Sequence, residues 1–281
     1  MREIFLSSDK FDASPLELDT LIFQQMLSEG QIEEGLIFSN DLLIRSRSSE
    51  ERDHLIEARL RMDRALIGSM DEAMIGEELR WCVDRLNAIE LGSPLHGLAL
   101  LNLANWHTNK GEQMMALVVH SDINKLSGHP NDIRGLSRLE TARILVDMGD
   151  LDPAMRHFWT AKLCFESEGM IAENLVSSLE WLNLALDEVD SNAPSMMQRI
   201  EVAAPRSVGG NTWIAANPDD VKNIVDELVP VLMSDLSGEQ RNDLGLIIDA
   251  GVALKVVHWA DIMKSRKSEI QDSKLIEALQ S

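Results

Sequence analysis

The chain predicts an all-α fold, a right-handed α-solenoid of stacked helical hairpins with a C-terminal helical cap. Three observations carry this. A small-residue signature recurs: Gly111 is followed by Ala116, His120 and Ile123, and 38 residues later Gly149 is followed by Ala154, Phe158 and Ala161. Ala104 and Ala142 each stand seven residues before these glycines, and Gly30 begins a weaker copy with Phe23, Gly35, Ser39 and Leu42. Helix starts are written into the sequence as Ser, Asp or Asn followed by Pro or a capping glutamate. Finally, 44% of residues are apolar but only 4% are aromatic, and there is no tyrosine. All-β domains lean on aromatic and β-branched residues; abundant Leu, Ala, Met and Glu favour helix.

The elements follow in order. Ser14-Pro15-Leu16-Glu17 opens a hairpin of residues 15–28 and 32–46, turning at Gly30. Residues 50–67 and 71–90 form the second, with Ser69 and Glu72 as a capping pair and the turn near Gly68. Ser93-Pro94 opens the third, 94–109 and 113–127, which turns at Gly111. The fourth spans 133–148 and 152–167, turns at Gly149 and uses Asp152-Pro153 as a helix start. Residues 171–189 and 194–203 read as a fifth, with Asp190-Ser191-Asn192 between them. Glycine suits a helix-closing position because it accepts a left-handed backbone without steric cost. Alanines at fixed offsets let paired helices approach closely.

The period breaks after Val202. Residues 203–216, with Pro205, Gly209, Gly210 and Asn211, read as a loop. Helices are predicted at 218–234, opened by Asn217-Pro218, at 239–264, opened by Ser237 and Gln240, and near 268–279. Pro230 should kink or break the first of these. The domain organisation is thus a hairpin array over 1–203, a loop over 204–216 and a capping unit over 217–281.

The formal net charge is −21, from 47 acidic against 26 basic residues, which repels nucleic acid and anionic lipid at long range. Cys82 and Cys164 lie within apolar helical patterns and read as buried free thiols. The apolar stretch 244–260 contains Asp249, Lys255 and His258, too many charges for a membrane span. Met1 to Lys10 carries no secretory pattern, so a cytoplasmic protein is expected.

The third and fourth hairpins resemble the tetratricopeptide repeat. Ala142, Gly149, Ala154, Phe158 and Ala161 match that family's order of small residue, turn glycine, alanine, aromatic and alanine. Gly111 and Ala116 match as well, but His120 replaces the aromatic and Ile123 the final alanine. The family's first-helix aromatics and closing proline are missing, and the resemblance stops near residue 203. It implies that the first helix of each hairpin lines a concave face. On that wall it places Gln24, Asn105, Arg143 and, one turn beyond Asn105, Asn109; Arg64 or Arg59 joins them from the second hairpin.

Such a row of amides and guanidinium groups can grip peptide backbone or a carboxylate. The expected function is therefore a non-enzymatic scaffold binding a protein or peptide, without cofactor or metal. Trp213, in the loop, either folds back onto the array or meets a partner. A sensor with a pocket under that loop is the alternative, and an enzyme using His107 and His120 a further one. Two histidines are too few for a closed zinc site. Val208-Gly209-Gly210-Asn211-Thr212 lacks the lysine of a phosphate loop. The arginines from 45 to 64 alternate with acids, as on a salt-bridged helix surface. The acidic exterior is a competing interface.

Overall fold

A computed structural model describes residues 14–68, 70–202, 215–234 and 241–280. Ser69, Trp213, Ser237 and Gln240, and most of the 203–216 loop, lie outside the described residues. The chain divides into two compact units, Met1–Pro130 and Asn131–Ser281. Both are all-α. Among the described residues, the sole β-type pairing is an isolated bridge between Val189 and Ala216.

The first unit is built from α1 (Pro15–Ser28), α2 (Ile32–Arg47), α3 (His54–Leu66), α4 (Glu72–Ile89), α5 (Pro94–Asn109) and α6 (Gln113–Asp122). Each packs against the next, and α1 also meets α3. The start of α1 is a full capping box: the Glu17 amide donates to Ser14 Oγ at 3.2 Å and the Ser14 amide to Glu17 Oε2 at 2.6 Å. Ser93 Oγ likewise accepts the His96 amide that opens α5. The helix expected from residue 50 begins at His54, because Ser48 Oγ and Asp53 Oδ1 accept amides of Glu51, Leu55 and Ile56 and hold the preceding chain in a bend. The next helix follows Asp71, whose side chain makes no capping hydrogen bond. The helix predicted to run to residue 127 stops at Asp122. There Asn124 uses its own side chain: Nδ2 donates to the Ser121 and Asp122 carbonyls and Oδ1 accepts the Ser127 amide.

The second unit contains α7 (Asn131–Asp147), α8 (Leu151–Glu168), α9 (Ile171–Ala185), α10 (Met196–Glu201), α11 (Pro218–Leu232), α12 (Arg241–Leu254), α13 (His258–Ser265) and α14 (Ser273–Ala278). Here α7 pairs with α8, and α8 with α9. The expected fifth hairpin is not made: α10 packs on α8, and α9 packs on α11 and α12. Asp152 is not a cap. Asp150 precedes the helix, and Asp152 sits in its first turn, where it pairs with Arg156 and Arg199. The Asn217 cap is formed, its Oδ1 accepting the Asp219 amide at 2.9 Å. Pro230 lies in the last turn of α11 without ending it. The helix expected over 239–264 is two helices. Lys255 adopts a left-handed backbone (φ 56°), and the Lys255 and Val256 amides donate to the Val252 and Gly251 carbonyls. The break redirects Trp259 inward, where it is buried and its Nε1 donates to Asp226 at 2.7 Å.

One turn recurs through both units. At Gly30, Gly111, Gly149 and Gly169 the backbone is left-handed. Each glycine amide donates to the carbonyl three residues back, and the following amide to the carbonyl five residues back. The small residues that precede and follow these turns are the helix contacts: Ala104, Ala116, Ala142, Ala154 and Ala161 are wholly buried, with Phe158 and His120 beside them at 2% exposure. Cys82 and Cys164 are free, buried thiols, and burial pushes that of Cys82 up to about 12. Gly149→Val is expected to lower stability by about 1–2 kcal/mol, since a β-branched residue is strained at φ 80°. Urea unfolding of the variant and the parent measures it, and equal midpoints would contradict this account of the turn.

Candidate functional site

The residues expected to form one polar wall have different surroundings. In the first unit, Gln24 on α1 faces Asp63 of α3 and favours its ionised carboxylate. Asp63 is also held by Arg59, whose Nε donates to its Oδ2 at 2.9 Å. Burial raises the Asp63 carboxyl above its ordinary range, and Arg59 opposes that shift. Arg59 therefore shares the α1–α3 face with Gln24. Arg64 turns toward α2 and donates to the Leu36 carbonyl at 3.2 Å and to Ser39 Oγ.

Asn105 and Asn109 lie one turn apart on α5, and both are exposed. Neither side chain is hydrogen-bonded to a described residue, so two donors and an acceptor on each amide face solvent. Beside them, Trp106 is fixed to α4. Its Nε1 donates to the Glu72 carbonyl at 3.2 Å, and its ring lies 5.1 Å from the Arg80 guanidinium and 4.6 Å from the Lys110 ammonium. A Cβ on Gly76 would come within 2.4 Å of that ring, so the glycine makes room for it.

Arg143 belongs to the second unit. Its guanidinium forms a fork on Glu180, with Nη2 2.5 Å from Oε1 and Nε 3.1 Å from Oε2, and its Nη1 donates to Glu140 at 2.7 Å. It thus ties α7 to α9. The two carboxylates raise its pKa, although burial opposes them. Trp213 lies outside the described residues.

His107 and His120 are buried, and His107 Nδ1 lies 2.6 Å from Glu112 Oε2. No group of three or more His, Cys, Asp or Glu side chains among the described residues could hold a metal ion. The histidine pair that the sequence does not announce is His96 with His129. These two buried rings stack with centroids 5.1 Å apart, and His96 Nδ1 lies 3.1 Å from His129 Nε2. They come from the start of α5 and from the chain after α6, 33 residues apart. No short-range spacing marks such a pair.

Burial, and then the His129 ring, holds the pKa of His96 below the usual imidazole value; Asp122 on α6 pulls it the other way. Because the folded value is the lower one, the unfolded chain binds the proton more readily. Stability is therefore full above the unfolded value of about 6.5 and declines as pH falls from there toward the folded value. Thermal melts between mildly alkaline and mildly acidic pH should show this decline, and His96→Gln should flatten it. A slope unchanged by the substitution would assign the effect to other groups.

No family model matches the chain, and no curated protein matches it. A similar solved structure, from Podosopora anserina, is described as a kinesin light chain with nearly identical TPR-like repeats. The two share 13% identity over 79% of this chain and 92% of that one, with a TM-score of 0.43. Among the described residues, no helix is long and apolar enough to cross a membrane.

Proposed function

We propose that the chain is a non-enzymatic scaffold that binds a protein or peptide segment through the polar face of its first helices, centred on α5. The observation that carries this reading is the pair of exposed amides of Asn105 and Asn109, on a helix otherwise fixed by its buried face. Alternating amide donors and acceptors one turn apart match the spacing of backbone groups in a bound segment. Arg64 and Arg143 have internal partners, so each holds neighbouring helices within its own unit, α2 with α3 and α7 with α9. The strongly acidic surface favours basic partners at long range.

The test is affinity capture from the native cell, followed by calorimetric titration of the captured partner. Asn105→Ala/Asn109→Ala is expected to weaken binding about tenfold, at about 1 kcal/mol or slightly more for the lost hydrogen bonds. Its melting temperature should stay near that of the parent, because exposed substitutions stay within about 0.5 kcal/mol. Equal affinities for parent and variant would move the interface off α5.

A further inference from the structure

The C-terminal half of α8, the start of α9 and one face of α11 enclose a cleft. Its floor is apolar, formed by Phe165, Leu175, Leu228 and Val231. A more polar hollow adjoins it, lined by Trp159, Met197, Asn223 and Asp226. Glu166 of α8 and Glu227 of α11 border both. Lys162 is buried, with its Nζ 2.8 Å from Glu227 and 3.5 Å from Glu166, yet the two carboxylates remain 53% and 58% exposed. One ammonium thus faces two carboxylates, and Asp226 adds a third negative charge at the edge. The Asp226 carboxylate accepts from Trp259 and lies 3.6 Å from His258.

We propose that this double cleft docks a partner segment presenting an apolar side chain next to a basic one. The apolar side chain enters the floor between Phe165 and Val231. The ammonium or guanidinium lies between Glu166 and Glu227, supplying the positive charge that Lys162 alone does not balance. An acidic segment would meet three carboxylates, and a purely apolar one would desolvate Glu166 and Glu227 without compensation. A second copy of this chain, itself at −21, is disfavoured by repulsion. The inference rests on the reading of the chain as a peptide-binding scaffold and adds a surface of stated chemistry, separate from α5.

The probe is a short fluorescein-labelled synthetic peptide of leucine, arginine and serine, titrated against the full chain by fluorescence anisotropy. Two companions replace its arginines with glutamate or its leucines with serine. The leucine–arginine peptide is expected to bind, more weakly at high salt, and both companions to lose most of that binding. Glu166→Gln and Val231→Lys should each weaken the probe about fivefold or more. Glu33→Gln, which removes the same charge from an exposed position on α2, should leave it unchanged. Equal weakening by Glu33→Gln and Glu166→Gln would reduce the binding to general attraction by an acidic chain. Undiminished binding of the serine–arginine peptide, or no binding of the leucine–arginine one, would overturn the proposal as well. Should Val231→Lys fail to fold, Glu166→Gln, whose side chain is exposed, decides the question. A negative result here leaves the Asn105 and Asn109 titration standing as an independent test of the scaffold reading.

Discussion

Gly92→Ala is expected to destabilise the first unit by about 2–4 kcal/mol, because it combines a left-handed backbone with a backbone clash. Gly92 follows α4 with φ 79°, and a Cβ there would lie 1.7 Å from the Ser127 carbonyl oxygen. That oxygen belongs to the main chain and cannot rotate aside. The turn after α4 and the chain after α6 would have to separate. Doing so would also disturb the His96–His129 stack, since the Gly92 amide donates to His96 Nδ1 at 3.2 Å. Gly30→Ala is the control: φ is 80° and nothing lies within 4 Å of the added Cβ. It should cost only the left-handed strain, about 1 kcal/mol. Urea unfolding of both variants separates strain from collision. Similar losses for the two would show that the segments after α4 and α6 yield more easily than their packing suggests.

The contrast between these glycines also marks how far the sequence is legible. Gly30, Gly111 and Gly149 are readable because their role is local. Each closes a helix, and each is followed five residues on by a small residue, Gly35, Ala116 or Ala154. Ser14, Ser93 and Asn217 are readable for the same reason, since a cap acts within three residues of itself. The role of Gly92 depends on Ser127, that of Gly76 on Trp106, and that of Gly135 on Phe165, 30 or more residues away in each case. Nothing in the local pattern names those partners. The break at Lys255 was hidden by residue type, because a left-handed lysine does the work usually given to glycine. It is enforced by the burial of Trp259 against α11, a tertiary demand that helix propensity does not contain. The polar row is expected only through the resemblance to the tetratricopeptide repeat, which places it on first helices. Which of its members stay open to a partner is not legible, because that depends on whether a carboxylate such as Asp63 or Glu180 stands opposite. Asn105 and Asn109 face solvent; Arg64 and Arg143 do not share that freedom.

The same dependence on distant partners governs the other large expected effect, at Asp152. This carboxylate was expected to cap α8 and is instead buried, with a side chain 4% exposed, between two guanidinium groups. Arg156 Nε donates to its Oδ2 at 2.9 Å, and Arg199 Nη2 to its Oδ1. Arg199 is 3% exposed, and among the described residues its Nε and Nη1 have no hydrogen-bond partner, so Asp152 is its principal compensation there. Asp220 on α11 adds a more distant charge, while its own carboxylate accepts the Met196 amide that begins α10. The cluster fastens α10 to α8. Arg156 Nη1 completes it by donating to the Arg199 carbonyl and, at 2.8 Å, to the Val202 carbonyl where α10 ends. Asp152→Asn keeps the shape of the side chain and removes the charge. It leaves Arg199 buried without an adequate anion, and breaking a buried pair in this way costs about 3–5 kcal/mol. The loss should come from the stranded cation rather than from the missing attraction. Asp152→Asn/Arg199→Met, which removes both charges and fills the space, should therefore recover most of it. Chemical denaturation of parent, single and double variants measures the cycle. A single variant as stable as the parent would show that solvent reaches Arg199. A double variant no better than the single would place the stability of this corner in the hydrogen bonds of Arg156 and Asp220 instead of in the burial of Arg199.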